Sequence, residues 1–196
     1  MKKRTFVAIN LPEKIREKLV SEQKEVGDLF PQSSDFVRWA KKDNLHITLS
    51  FIGSINDEEI LEICEKIREI TKKQEPFSIS LNKIIYGPPG KNPRMIWAMG
   101  EKSPELAFLR NELEKSSSKP ISPHITLGRI KAWQFDKIEL EERPEISKEI
   151  FLDFEVSSLE LMESELKKTG PEYTVLESFE LGKDIKIDRE EEKMLI

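Results

Sequence analysis

The tetrapeptide His46-Ile47-Thr48-Leu49 recurs, letter for letter, as His124-Ile125-Thr126-Leu127, the second histidine lying 78 residues after the first. The chain has two histidines, and both belong to the repeat. On average residue usage a given histidine is followed by Ile-Thr-Leu on the order of once in several thousand cases, so chance is a poor explanation. In a strand, alternate side chains share a face, so His and Thr of each copy point one way while Ile and Leu point the other way, into a core. The fold must therefore hold two equivalent, half-buried strands. If they lie side by side, or are related by a pseudo-two-fold axis, two imidazoles and two hydroxyls converge on one groove.

The rest of the chain supplies the elements around those strands. Residues 4–10 alternate as a strand, with Phe6, Ala8 and Asn10 on one side and Val7, Ile9 and Leu11 on the other. Pro12, acceptable in a first helical turn, introduces a helix striped by Ile15, Leu19, Val26 and Leu29 and stopped by Pro31. Residues 36–40 and 45–52 are short strands around the polar turn Lys41-Lys42-Asp43-Asn44, and this pair reads as a hairpin. Asp57 is the expected cap of a second helix, which runs to about residue 73 before Pro76 forces extended backbone. Strands follow at 77–82 and 95–99 on either side of the Gly87-Pro88-Pro89-Gly90 turn, and a shorter helix begins at Pro104. After a polar loop at 116–120, strands are expected at 122–130, 151–162 and 173–181. Several consecutive strands lie too close together for parallel crossovers, so the predicted class is α+β, with antiparallel sheets flanked by helices. At 196 residues one compact unit is expected. The charged stretch 183–196 carries no core pattern and reads as a surface tail.

Composition narrows the function. The net charge of −5 argues against a protein that coats long nucleic acid, but leaves room for a local cationic site that holds one phosphate. Two histidines and one cysteine are too few for a Cys/His metal cage, and Cys64 falls on the apolar stripe of the second helix, which makes it a packed core thiol. No apolar stretch is long enough to span a bilayer and the first residues lack a signal-peptide pattern, so a cytoplasmic protein is expected.

The repeat also specifies a chemistry. Histidine, with an ordinary pKa of about 6.5, can be neutral in one copy and protonated in the other near neutral pH, so a pair serves as base and acid together. Threonine hydroxyls donate to non-bridging phosphate oxygens. One His-x-Thr alone is ordinary strand composition; two identical copies holding every histidine in the chain point to phosphoryl transfer. Arg129 follows the second copy with a fork of donors suited to phosphate, but strict alternation puts it on the face opposite His124, so it needs a twist or the strand's end, eased by Gly128. Phe51 occupies the equivalent place after the first copy, where it either stacks on a base or joins the core.

With these motifs go the runs Arg4-Thr5-Phe6-Val7-Ala8-Ile9-Asn10-Leu11-Pro12, Val37-Arg38-Trp39, Asn44-Leu45-His46, Pro93-Arg94-Met95-Ile96-Trp97-Ala98, Ser122-Pro123-His124 and Gly170-Pro171-Glu172-Tyr173. Together they resemble the two-histidine phosphoesterases, in particular the RNA 2',3'-cyclic phosphodiesterases long named 2'-5' RNA ligases. The resemblance reaches Leu181 and makes 1–182 the expected domain. It implies two pseudo-symmetric lobes of antiparallel sheet with outer helices around a central groove. It further implies hydrolysis of an RNA terminal 2',3'-cyclic phosphate to a 2'-phosphate by a monomer without metal or cofactor, with reversible 2'-5' ligation as a secondary activity. Carried over residue by residue, His46 becomes the acid and His124 the base, Thr48 and Thr126 the phosphate donors, and Arg129 a phosphate ligand. The Ser-rich stretch 115–119 and the tail depart from the family's pattern. Rival expectations are the same chemistry on small cyclic nucleotides, and a module that binds nucleotides or RNA ends without turnover.

Overall fold

The computed structural model describes residues 2–31, 35–90, 92–114, 121–168 and 170–183. The expected polar loop at 116–120 and all of the tail but Lys183 lie outside the described residues.

In chain order the elements are β1 (Lys3–Asn10), α1 (Glu13–Gly27), β2 (Val37–Trp39), a 3-10 turn (Lys42–Asn44), β3 (His46–Ile55), α2 (Asp57–Thr71) and β4 (Phe77–Gly87). They continue with β5 (Met95–Gly100), α3 (Pro104–Glu114), β6 (His124–Ile130), the short α4 (Ala132–Phe135), a second 3-10 turn (Leu140–Glu142), β7 (Ser147–Val156), β8 (Ser158–Lys167) and β9 (Gly170–Glu180). The strands lie in the order β7-β4-β5-β6-β3-β1-β8-β9, with β2 also on β6, and every pairing is antiparallel. This is the expected α+β class.

The two motif strands meet at the centre of the sheet, where Ile47 pairs with Ile125. Equivalent residues of an antiparallel repeat can face each other only across an approximate two-fold axis, so the sheet has two related halves. In one, β1, α1 and β3 follow one another; in the other, β5, α3 and β6 do the same. The helices cross over: α1 packs on β6 and α3 packs on β3, so each half supports the other half's motif strand. Ile47, Leu49, Ile125 and Leu127 are buried beneath the sheet, as alternation requires.

Four sequence expectations are corrected. Residues 36–40 and 45–52 are not a hairpin: the 3-10 turn carries the chain sideways, and β2 pairs with β6 instead. The strand expected at 151–162 is two strands, changing partners at Ser157 from β4 to β1 and β9; both sides alternate apolar residues, so sequence does not mark the switch. The cap of α2 is Asn56, whose side chain accepts from the Glu59 N–H while Glu59 accepts from the Asn56 N–H, and Asp57 is the first helical residue. Finally, α1 ends at Gly27, which leaves Leu29 exposed rather than on its buried stripe. Cys64 is buried on α2, and burial together with a hydrogen bond to Glu177 pushes its thiol up to about 11. No helix among the described residues is long and apolar enough to cross a membrane.

Candidate active site

Both motif strands carry the same irregularity. On β3, Val7 pairs with Ser50 and Ala8 with Thr48, leaving Leu49 as an extra residue; on β6, Ile96 pairs with Gly128 and Trp97 with Thr126, leaving Leu127 extra. A bulge of this kind resets the alternation. Burial records the reset as two successive buried residues, Leu49-Ser50 and Leu127-Gly128, followed by the exposed Phe51 and Arg129. Arg129 therefore shares the face of His124 and Thr126, as Phe51 shares that of His46 and Thr48. Phe51 is 77% exposed, which removes the core reading. The second bulge is held from below: the Leu127 carbonyl accepts from Ala40 N–H at 2.8 Å and from Nε2 of the buried Gln23 on α1 at 2.8 Å, and the same Nε2 reaches the Ala40 carbonyl at 3.0 Å.

The surroundings of the two histidines differ. The Asn44 carbonyl lies 2.8 Å from His46 Nδ1, and a carbonyl can only accept, so Nδ1 carries a proton and donates. In the neutral ring Nε2 is then bare and accepts from the Thr48 hydroxyl at 2.9 Å. Asn44 is itself fixed, its side chain donating to the Pro171 carbonyl at 2.8 Å. Phe6 and Tyr173 stand against the His46 ring with centroids 5.1 and 5.3 Å away. Burial lowers the His46 pKa below its ordinary value; the Asn44 carbonyl works against this, and a charged His124 adds to it.

His124 instead lies on the Trp97 indole, with ring centroids 4.3 Å apart at 35°. The indole fits because Gly87 of β4 has no side chain: a Cβ there would stand 2.1 Å from Trp97 Cδ2. Burial lowers the His124 pKa, and the Arg110 guanidinium on α3 lowers it further. Among the described residues Thr126 Oγ1 has only a weak contact with Met95 Sδ at 3.8 Å, which leaves its hydroxyl able to turn toward a ligand.

All six residues singled out from sequence, His46, Thr48, Phe51, His124, Thr126 and Arg129, line one cavity of about 890 Å³. That is room for a nucleotide-sized ligand. Sequence reasoning missed its other cations: Arg4, Arg38, Lys41 and Arg110 also face the cavity, against Glu114 as the one lining carboxylate among the described residues. Glu114 is paired with Arg110 at 3.0 Å. A net-negative protein thus keeps a positive cleft, the electrostatic complement of a polyanion. Arg4, Arg38 and Tyr173 all lie within runs that carried the family resemblance, and that was the available signal for them. Among the described residues no group of three or more His, Cys, Asp or Glu side chains is arranged to hold a metal ion.

An antiparallel sheet whose duplicated His-x-Thr strands open on one cationic cleft defines a two-histidine phosphoesterase. Comparison with known proteins agrees. A family model described as LigT like phosphoesterase matches residues 9–97. An RNA 2',3'-cyclic phosphodiesterase of Aquifex aeolicus is 33% identical, over 74% of this chain and 82% of the relative. One of Thermus thermophilus is 32% identical, over 91% of this chain and 90% of the relative. Among solved structures, a Thermus thermophilus protein superposes with a TM-score of 0.71 at 30% identity, covering 91% of this chain and 98% of the other. Escherichia coli LigT complexed with 3'-AMP gives 0.70 at 25% identity, covering 92% and 99%. The chain belongs to the LigT-like phosphoesterase family, in the branch of the RNA 2',3'-cyclic phosphodiesterases.

Proposed function

We propose that this protein hydrolyses the 2',3'-cyclic phosphate at an RNA 3' end to a 2'-phosphate, with His46 and His124 as its acid–base pair. The observation that carries the reading is the convergence of both His-x-Thr pairs, one from each half of the sheet, on one cationic cavity. Water attacks the cyclic phosphorus in line with the 3'-oxygen. His124 accepts the water proton, the P–O3' bond breaks, and His46 protonates the departing 3'-oxygen, which leaves a 2'-phosphate and a 3'-hydroxyl. Thr48, Thr126 and Arg129 donate to the non-bridging oxygens as charge builds on them.

The assignment of roles rests on the different surroundings of the rings. Burial disfavours the cation at both rings; the Asn44 carbonyl partly offsets this at His46, whereas the Arg110 guanidinium adds to it at His124. Each charged ring also opposes charge on the other, so a singly protonated pair is the working state. Run in the same direction with an RNA 5'-hydroxyl in place of water, the same proton transfers form a 2'-5' linkage, and the reverse of that step, attack by the 3'-hydroxyl, releases the 5'-hydroxyl and restores the cyclic phosphate. Phe51 offers a face on which a nucleobase stacks, and residues 1–182 make up the catalytic unit, with 183–196 as a charged tail.

The test is to incubate the protein, in chelator, with a short RNA ending in 2',3'-cyclic phosphate, alongside His46→Ala and His124→Ala. A 2'-phosphate product that falls by about 10²- to 10⁴-fold in each variant is expected. Retention of the RNA without conversion would instead make the protein a binding module, and conversion confined to cyclic mononucleotides would make it a small-molecule enzyme.

A further inference from the structure

Two of the cavity's arginines face each other. Arg38 of β2 and Arg129 of β6 are register partners on an antiparallel pair, both line the cavity, and neither has a carboxylate within 4.0 Å among the described residues. Like charges directly opposite on paired strands are destabilising, a cost that an anion lying between them removes. The Arg38 guanidinium is also confined. Gly170, at φ +116° at the start of β9, passes so close that a Cβ there would stand 2.5 Å from Arg38 Nη2. The adjoining Pro171 carbonyl holds Asn44, which in turn orients His46. The slot for Arg38 is therefore part of the His46 wall.

We propose that Arg38, with the facing edge of Arg129, forms a second phosphate subsite that takes the phosphate on the 5' side of the terminal nucleotide. The proposal rests on the cyclic-phosphate reading above and deepens it by naming what the enzyme selects. A guanidinium fork matches a phosphate with two parallel N–H donors, and Arg129, with five N–H groups, can offer one edge to the reacting phosphate and another toward Arg38. A substrate with a phosphate on both sides of its last ribose engages both subsites. A 2',3'-cyclic nucleoside phosphate with a free 5'-hydroxyl engages one. The enzyme thereby recognises the end of a chain.

Three probes separate these cases: 2',3'-cyclic AMP, the same compound carrying a 5'-phosphate, and the dinucleotide ApA ending in 2',3'-cyclic phosphate. For the wild type, kcat/KM is expected to favour the two 5'-phosphate probes tenfold or more, the gain falling in KM. Arg38→Gln collapses that ratio toward unity and flattens the slope of log(kcat/KM) against log[salt] for the dinucleotide by about 0.7, as for one phosphate contact on a single strand. Arg38→Lys, which keeps the charge without the fork, restores part of the ratio, and thermal unfolding checks that both variants are folded. The subsite is refuted if the wild type turns over all three probes equally, or if Arg38→Gln loses activity on all three by the same factor. Should the wild type convert none of them, the cyclic-phosphate reading itself fails and the subsite falls with it.

Discussion

Gln23 offers the most direct test of how the fold aims the second half of the site, because its own side chain does not line the cavity. Its side-chain amide donates to the carbonyls of Leu127, the bulge residue, and Ala40, both from one buried nitrogen. Gln23→Met keeps an unbranched chain of similar length and removes both donors. Each lost hydrogen bond is worth about 0.5–1.5 kcal/mol net, so the loss is about 1–3 kcal/mol. The Leu127 carbonyl keeps the Ala40 N–H at 2.8 Å, which holds the figure within that range. For a chain of this size, Tm should fall by about 2–4 °C per kcal/mol, hence roughly 2–12 °C in a thermal melt. The bulge turns Arg129 into the groove, so kcat/KM on a cyclic-ended RNA should also fall, by roughly tenfold, since small misplacements of a positioned group are costly. Gln23→Glu should be worse on both counts, because a carboxylate would face two carbonyl oxygens in a buried position. A Gln23→Met protein that melts within a degree of the wild type, with unchanged kcat/KM, would refute the claim that this contact holds the bulge.

Thr126→Val removes a hydroxyl whose one hydrogen-bond partner among the described residues is a distant sulfur, so it should leave Tm nearly unchanged and lower kcat roughly 10²-fold, as loss of a transition-state donor does; equal kcat would place the hydroxyl outside the reaction. Phe51→Ala deletes a ring that is 77% exposed, so stability should change by less than about 0.5 kcal/mol. Binding of cyclic-ended RNA should weaken by about 1–3 kcal/mol, measured as KM or by titration, and unaltered binding would end the stacking role. Both histidines have pKa values lowered by burial, so between their folded values and about 6.5 the unfolded chain binds more protons than the folded one. Stability should accordingly decline as pH falls through 6.5 and flatten below the folded pKa values; the difference in Tm against pH between wild type and a His46→Gln, His124→Gln double variant isolates this contribution, and parallel curves would contradict it.

The four motif residues were legible because a strand's alternation is local: once His46 and His124 are in strands, Thr48 and Thr126 must share their face and the isoleucines must turn inward. Arg129 and Phe51 were only half legible. Their direction depends on the bulges at Leu127 and Leu49, which are defined by the partner strands β5 and β1 and carry no signature beyond Gly128. The wall around His46 was not legible from periodicity at all. Tyr173, Pro171 and Asn44 meet there from elements more than a hundred residues apart, and Arg38 faces Arg129 because β2 pairs with β6 rather than with its neighbour in sequence. Alternation predicts which side a residue points to, not which strand lies beside it.

The pairing of β1 with β8, in which Thr5 lies opposite Glu163, has a consequence for synthesis. β1 leaves the ribosome long before its partner does. At about 5–20 residues per second, roughly 8–30 s pass before residues 158–167 exist to cover that side of it. Until then β1 presents an open row of backbone N–H and C=O groups to any strand nearby, a risk of mispairing between nascent chains. A chain that stops short of residue 158 would keep both histidines yet lack the Tyr173 wall of His46 and retain that open edge. Translation that carries through β8 and β9 therefore supplies what the two motifs alone lack, the cover of β1 and the wall of His46.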